Sequence, residues 1–225
     1  MSNTMKTVVF LTSLFTFLLL FTLINFVIPF QAPSASAGTV LFAALLYIIS
    51  YIAALYSQAL IKYFYIRNMM RDLNIFKTFP ARSFEIRDRI ILLILPIIAV
   101  LMPMVSKRAV TRESLWSLAG LAALAITLEV LFFINNRTMK IHVTSKGFAI
   151  SGIDFRLELS VPFSYTNAVG WYPFERIENH LVYNGKVLLY PSYDMGVITI
   201  ECSEEEAKQI KALLVSNRVP ERRYE

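Results

Sequence analysis

MKIHVTSKGFAISG, residues Met139–Gly152, is where the hydrophobic pattern of this 225-residue chain changes period. MKIHVT and GFAISG are short β-rich runs on either side of a Ser-Lys-Gly turn, the pattern of a hairpin. Upstream, the apolar residues come in long unbroken runs. Downstream, they come in short segments separated by turns, and the chain therefore divides near residue 137 into an apolar first part and a mixed second part.

The two parts differ in charge as well as pattern. Up to Asn136 there are eleven Lys/Arg against five Asp/Glu, and from Arg137 onward eleven against eleven, so the whole net charge of +6 belongs to the first part. With 56% hydrophobic residues, 17% charged residues and mean hydropathy +0.55, the chain is too apolar for an ordinary soluble domain. Basic excess confined to the apolar part reports orientation in a bilayer and speaks against nucleic acid as a partner.

Four apolar segments read as membrane spans, at about 8–30, 39–61, 90–105 and 115–134, within a transmembrane region 1–136. The first is an uncharged run long enough for a hydrocarbon core of roughly 30 Å. QAPSASAG (31–38) follows it and imitates an A-x-A signal cleavage site. A signal-peptide core is usually about 7–15 residues, however, so the segment is expected to be retained, with QAPSASAG as an outer turn. The second run has small residues four apart, Ser50/Ala54 and Ala53/Ser57, which let helices approach closely. The third contains Pro96 and Pro103 and is expected to be a kinked span.

Lys and Arg in short loops resist translocation. Ten flank the spans on the side of Lys6, the connection 62–89 and Arg137/Lys140, against three in SKRAVTRES. Both termini are accordingly expected in the cytoplasm of a multi-pass protein of the cell membrane. The connection 62–89 interleaves basic residues with Phe64, Tyr65, Met69 and Phe76. It is expected to prolong the second helix or to lie along the inner surface before Pro80, with Arg67, Arg71, Lys77 and Lys140 as candidate lipid-headgroup contacts.

Inside the spans the polar candidates are Asn25 and Glu129. A charged carboxylate in hydrocarbon costs on the order of 2.5 kcal/mol or more, which makes Glu129 a functional candidate. It lies close to the inner end of its span, where water or a basic residue of the inner connection can neutralise it. The spans hold no second carboxylate or His to build a relay.

The second part, 137–217, reads as a small α+β unit. Strands are expected in MKIHVT, GFAISG, FRLELSV, NAVGWY, HLVYN, KVLLY and GVITIE, and FRLELSV alternates so as to set Phe155, Leu157, Leu159 and Val161 opposite Arg156, Glu158 and Ser160. SEEEAKQIKALLVSN reads as a closing amphipathic helix, with Ser203 and Glu206 spaced as a capping box and Ala207, Ile210, Leu213 and Leu214 on one face. Residues 218–225 show no periodicity and read as a frayed tail. In SYTNAVGWYPF the aromatics Tyr165, Trp171, Tyr172 and Phe174 are candidates for contacting a partner, since aromatic anchors dominate interfaces.

About seven antiparallel strands and a C-terminal helix, directly after membrane spans, resemble the bacterial pleckstrin-homology-like domains, in particular the YcxB-like group. The residues that carry the resemblance are Thr144–Ser151 as an opening hairpin, Val161–Tyr165 leading into a strand, Tyr190–Pro191, and the Ser203 helix. The resemblance covers roughly the last 80 residues; in that group a two-span hairpin is the expected anchor, whereas four spans are expected here. It implies a PH-like domain without catalytic residues that docks on a membrane or a protein.

Catalysis is not expected. There is no Gly-rich phosphate loop, no G-x-S-x-G and no Cys/His pair; Cys202 is the single cysteine and His142 and His180 the two histidines, so neither a metal nor a cofactor is expected. The reading is a membrane-anchored interaction or regulatory protein with a protein partner or the bilayer surface as its target. The alternatives are a small solute or ion carrier using Glu129, and a bacteriocin-type immunity protein.

Overall fold

A computed structural model describes residues 3–27, 37–82, 85–107, 112–156, 165–192 and 196–222. Most of QAPSASAG and the stretch 157–164 within and after FRLELSV lie outside the described residues. Four helices dominate the first part: α1 (Asn3–Val27), α2 (Ala37–Met69), α3 (Ile86–Lys107) and α4 (Arg112–Thr138). Among the described residues, three segments are long and apolar enough to cross a membrane: Thr4–Ile24 in α1, Leu45–Asp72 over α2 and the 3-10 turn that follows it, and Leu118–Thr138 in α4. The segment expected as the third of four spans forms α3, one helix running through both Pro96 and Pro103.

Polar contacts fix the order of the helices. Ser13 of α1 donates to the Ala54 carbonyl of α2 at 3.0 Å, and the rings of Phe21 and Tyr47 lie 5.1 Å apart, so numbers rise along α1 as they fall along α2: the pair is antiparallel. Ser50 and Ala54 are buried on this helix, as their small size predicts. Tyr51 then bridges α2 to α3 by donating to the Leu92 carbonyl at 2.8 Å. Leu55, Ala59, Leu92, Leu124, Leu128 and Phe132 close the apolar centre of α2, α3 and α4.

The strands form two antiparallel sheets. The first has the order β1 (Ile75–Pro80), β2 (Lys140–Thr144), β3 (Gly147–Ser151), β4 (Gly170–Pro173); the second has the order β5 (Ile177–Tyr183), β6 (Lys186–Pro191), β7 (Ile198–Glu201). The expected 144–151 hairpin is β2–β3, and the Asn184-Gly185 turn between β5 and β6 takes positive φ at both residues (45° and 69°), the geometry that a two-residue hairpin demands. Helix α5 (Glu204–Ser216) closes the chain with the expected capping box: the Glu206 N–H donates to Ser203 Oγ, and the Ser203 N–H donates to Glu206 Oε2 at 2.7 Å.

Three expectations change. The connection 62–89 does prolong α2 to Met69, but it then returns as strand β1 rather than as an interfacial helix. Pro80 of β1 pairs with Lys140 of β2, and the Ala81 N–H donates to the Met139 carbonyl at 3.0 Å. Helices α3 and α4 are thus an excursion between two neighbouring strands. A strand whose partner lies some sixty residues away has no local signature, which is why composition read it otherwise. Second, Phe155 and Arg156 of FRLELSV are not in a strand; both are buried, Phe155 among the helices. Third, residues 219–222 of the supposed tail are seated against β5.

The two parts exchange core residues. Ile66 of α2 is 1% exposed within the sheet core of Phe79, Ile141, Phe148, Ile150, Tyr172, Leu189, Ile200, Ile210 and Leu214, while Phe155 enters the helix core. Truncating a buried Ile to Ala costs about 2–5 kcal/mol. Ile66→Ala is therefore expected to loosen the sheets as well as the helix, seen as faster limited proteolysis of the 140–216 region in membranes, whereas Phe64→Ala, at a position 59% exposed, leaves it unchanged.

Candidate functional site

The densest polar constellation lies where helices meet sheet. Along α2, Gln58 and Lys62 stand four apart on one face, and both are fully buried. Facing them is the short loop Ile153–Arg156, which follows β3. Gln58 Nε2 donates to the Phe155 and Arg156 carbonyls (3.2 and 3.1 Å), and Lys62 Nζ donates to the Arg156 carbonyl (2.7 Å). From α4, Asn135 Oδ1 accepts from the Phe155 N–H and Thr138 Oγ1 from the Ile153 N–H. Two helices thereby supply the hydrogen bonds that an irregular buried loop needs.

The loop carries an ion pair in which every partner is buried. Asp154 and Arg156 are each 1% exposed and join through Nε–Oδ1 at 2.9 Å and Nη2–Oδ2 at 3.0 Å, a bidentate fork. Lys62 Nζ adds a second cation 3.6 Å from Asp154 Oδ2. Burial alone would raise the carboxyl pKa of Asp154. The Arg156 and Lys62 charges and the Arg156 hydrogen bonds outweigh burial and hold it far below the ordinary carboxylate range. The remaining guanidinium donors reach the Thr166 carbonyl (2.6 Å) and the Asn167 carbonyl (2.9 Å), and the Tyr165 ring lies 5.1 Å from the guanidinium carbon.

Asn167 extends the network into the sheets. At φ 52° it occupies the left-handed region that Asn tolerates better than most residues. Its Nδ2 donates to the Arg82 carbonyl (2.7 Å) just after β1, its Oδ1 accepts from the Thr199 N–H of β7 (2.7 Å), and its own N–H donates to the Val197 carbonyl (2.9 Å). One continuous path therefore runs from α2 and α4 through Asp154–Arg156 to both sheets. Chemically the site is a clamp: one carboxylate is shared by two cations, and the remaining donors are taken up by carbonyls.

The residues singled out from sequence fall elsewhere. Tyr172, Phe174 and Tyr165 are 3%, 6% and 6% exposed, so the exposed aromatic surface expected there is mostly core; Trp171 is half-buried and packs against the same cluster. Alternation along β4 sends Tyr172 inward, and its hydroxyl donates to the Ala168 carbonyl at 2.8 Å. Glu129 is paired with Arg89 at 3.0 Å, in keeping with its position near a basic residue. Asn25 lies in α1, its side chain outside the described residues. Arg67, Arg71 and Lys140 are exposed, whereas Lys77 binds Glu206 of α5 at 2.8 Å. With the Ser203 cap, that contact draws Glu206 down to about 2.

His142 is a sheet-spanning rivet, with Nδ1 2.9 Å from Thr78 Oγ1 on β1 and Nε2 2.8 Å from Ser151 Oγ on β3. Burial, assisted by Lys140, lowers its pKa. Cys202 is half-buried, and burial followed by the Glu206 charge pushes its thiol up, away from the reactive thiolate form. Among the described residues no three His, Cys, Asp or Glu side chains gather as a metal site.

Sequence reading missed Gln58, Lys62, Asp154, Arg156 and Asn167. Lys62 looked like the charged end of a span and Arg156 like the polar face of a strand. The one available signal was the spacing of Gln58 and Lys62 on a single helical face. The chain as a whole is a helical region with three span-like helices among its described residues, followed by two antiparallel sheets and a closing helix. It matches no protein-family model, no curated protein and no solved structure.

Breaking a buried ion pair from one side costs about 3–5 kcal/mol, because the surviving charges stay buried. Asp154→Asn is expected to lower the thermal stability of the detergent-solubilised protein accordingly, while Lys186→Ala, which removes a half-exposed pair with Glu201, changes it by less than about 1 kcal/mol. Since the folded carboxyl lies below its ordinary 3.8, the contribution of Asp154 is present above that value and disappears only as pH falls through the folded one. A pH-stability series should therefore show Asp154→Asn and wild type differing from pH 5 upward and converging in strong acid.

Proposed function

We propose that this protein is a non-enzymatic, membrane-anchored interaction or regulatory protein, whose cytoplasmic PH-like domain is a docking platform clamped to the membrane helices. The observation that carries this reading is the buried Lys62–Asp154–Arg156 clamp: it spends two cations and a carboxylate on holding a loop between helices and sheets, a structural use. Four strands, then three, then one C-terminal helix supports the PH-like assignment, with β1 supplied from before the α3–α4 hairpin. The pairing of Glu129 with Arg89 removes the main support for a carrier.

Connectivity also supports four crossings. The chain leaves the first sheet at Ala81 and re-enters it at Met139, two residues joined by a backbone hydrogen bond. Ends that meet in this way lie on one side of the membrane, so if α4 crosses, α3 must cross in the other direction. The exposed row Ile86, Ile90, Ile94 and Ile98 gives α3 a lipid-facing stripe. Charge asymmetry supports a cytoplasmic side for the sheets and both termini.

Docking then falls to the aromatics that the fold leaves accessible. Phe76 on β1 is 65% exposed, and Trp171 is half-buried. Both act as anchors for a protein partner in this reading.

Single cysteines introduced in a Cys202→Ser background test the topology. An impermeant maleimide applied to intact cells should label Ser36→Cys and Ala109→Cys but not Asn184→Cys; protection of Ala109→Cys would refute a crossing α3. For the docking role, Phe76→Ser combined with Trp171→Ala should reduce in-cell proximity labelling of neighbouring proteins by the domain at least several-fold at equal membrane abundance. An unchanged labelling pattern would sink the role.

A further inference from the structure

His180, in the middle of β5, is fully buried, and the clamp makes no use of it. Neither of its ring nitrogens makes a hydrogen bond among the described residues. Its cover is the chain's own last described segment. After α5, Arg218 turns the backbone at φ 60°, and Val219 enters the sheet core. Residues 220–222 then run parallel to β5: the His180 N–H donates to the Pro220 carbonyl (2.9 Å), and the Arg222 N–H donates to the His180 carbonyl (2.8 Å). Lys211 of α5 holds Glu221 at 2.6 Å, and the Arg222 guanidinium lies 4.7 Å from the centre of the Tyr190 ring.

We propose that residues 220–222 are an acid-released latch on the edge of β5: a neutral His180 lets the segment seat, and a protonated His180 expels it.

Burial settles the direction, and the charges around the ring do not reverse it. Lys211 comes from α5, Glu221 and Arg222 come from the latch itself, and β6 presents uncharged Leu189 opposite. Burial is the largest effect and disfavours the imidazolium. Glu221 and the Pro220 and Val219 carbonyls favour it, without either carbonyl reaching hydrogen-bond geometry with a ring nitrogen, and Lys211 opposes it. The net effect is a pKa below the ordinary 6.5 while the latch is seated. Once the latch lifts, the ring meets water and recovers its ordinary value. For a base depressed in the closed state, closure is fully favoured above the ordinary value and weakens as pH falls below it.

Val219 stays in the core as the anchor of the latch. Among the described residues, 220–222 pair with β5 at a single residue, their ion pair with Lys211 is half exposed and Arg222 rests on the Tyr190 ring, so they can open as a small unit while the sheets stay closed. Opening frees the N–H and carbonyl of His180 on a sheet edge, a place where an extended segment can add.

Hydrogen–deuterium exchange of the full chain in nanodiscs, corrected for intrinsic rates, tests this at pH 7.5 and 5.5. Peptides covering 178–183 and 218–222 should lose protection several-fold in acid. One pH unit below the ordinary imidazole value caps the loss at roughly tenfold. Peptides of α2 should not change; β2 and β3 are no control, because His142 bridges them and its own pKa is lowered by burial. His180→Phe removes the titration and should keep the latch protected at both pH values; should that variant misfold, His180→Gln serves the same purpose. Protection in wild type that is independent of pH or rises in acid overturns the proposal, as does an equal loss in the non-titrating variants.

Discussion

A carboxylate sealed between two cations holds this structure together. Asp154 has no access to water, and in a low-dielectric setting it survives as an ion because Arg156 grips it with two hydrogen bonds and Lys62 stands 3.6 Å away. Three charges in one buried place leave a net positive site, which is tolerable because the carbonyls of Arg156, Thr166 and Asn167 absorb the remaining donors. Each of those carbonyls belongs to a loop. The clamp thereby fixes loops that have no regular ladder of their own, and through Asn167 it fixes the spacing of both sheets.

Helix α2 is the element both parts share. Its early turns pack on α1, its middle carries Gln58 and Lys62, and its last turns place Ile66 in the sheet core. A domain attached by a linker would be free to swivel. Here the helix is a wall of the domain, and β1 folds back from its end to begin the first sheet. The α3–α4 hairpin departs from that sheet and returns to it, so the position of the sheets and the pairing of the helices constrain each other. In the proposed role, a partner bound to the sheets would meet a surface already oriented by the helices.

Much of the fold was legible because it is local. The β2–β3 hairpin, the Asn184-Gly185 turn, the capping box at Ser203 and the long apolar helices each follow from residues a few positions apart. Strand β1 was not legible, because Ile75–Pro80 becomes a strand only by pairing with Lys140–Thr144. Of the site, almost nothing was visible. Lys62 and Arg156 are residues whose type predicts exposure, and only the shared Asp154 carboxylate and the surrounding carbonyls make their burial tolerable. The aromatics Tyr165, Tyr172 and Phe174 looked like an exposed surface since a short strand between turns does not reveal which of its faces is covered.

The sequence by itself determined the division into an apolar helical part and a β-rich part, the β2–β3 hairpin, and the ends of the closing helix, because those depend on period, length and caps. Tertiary structure decided which strand opens the sheet, which charges go inside, and where the last residues rest. Each of these is a pairing between segments far apart in the chain, and its energy comes from a partner that no local window contains.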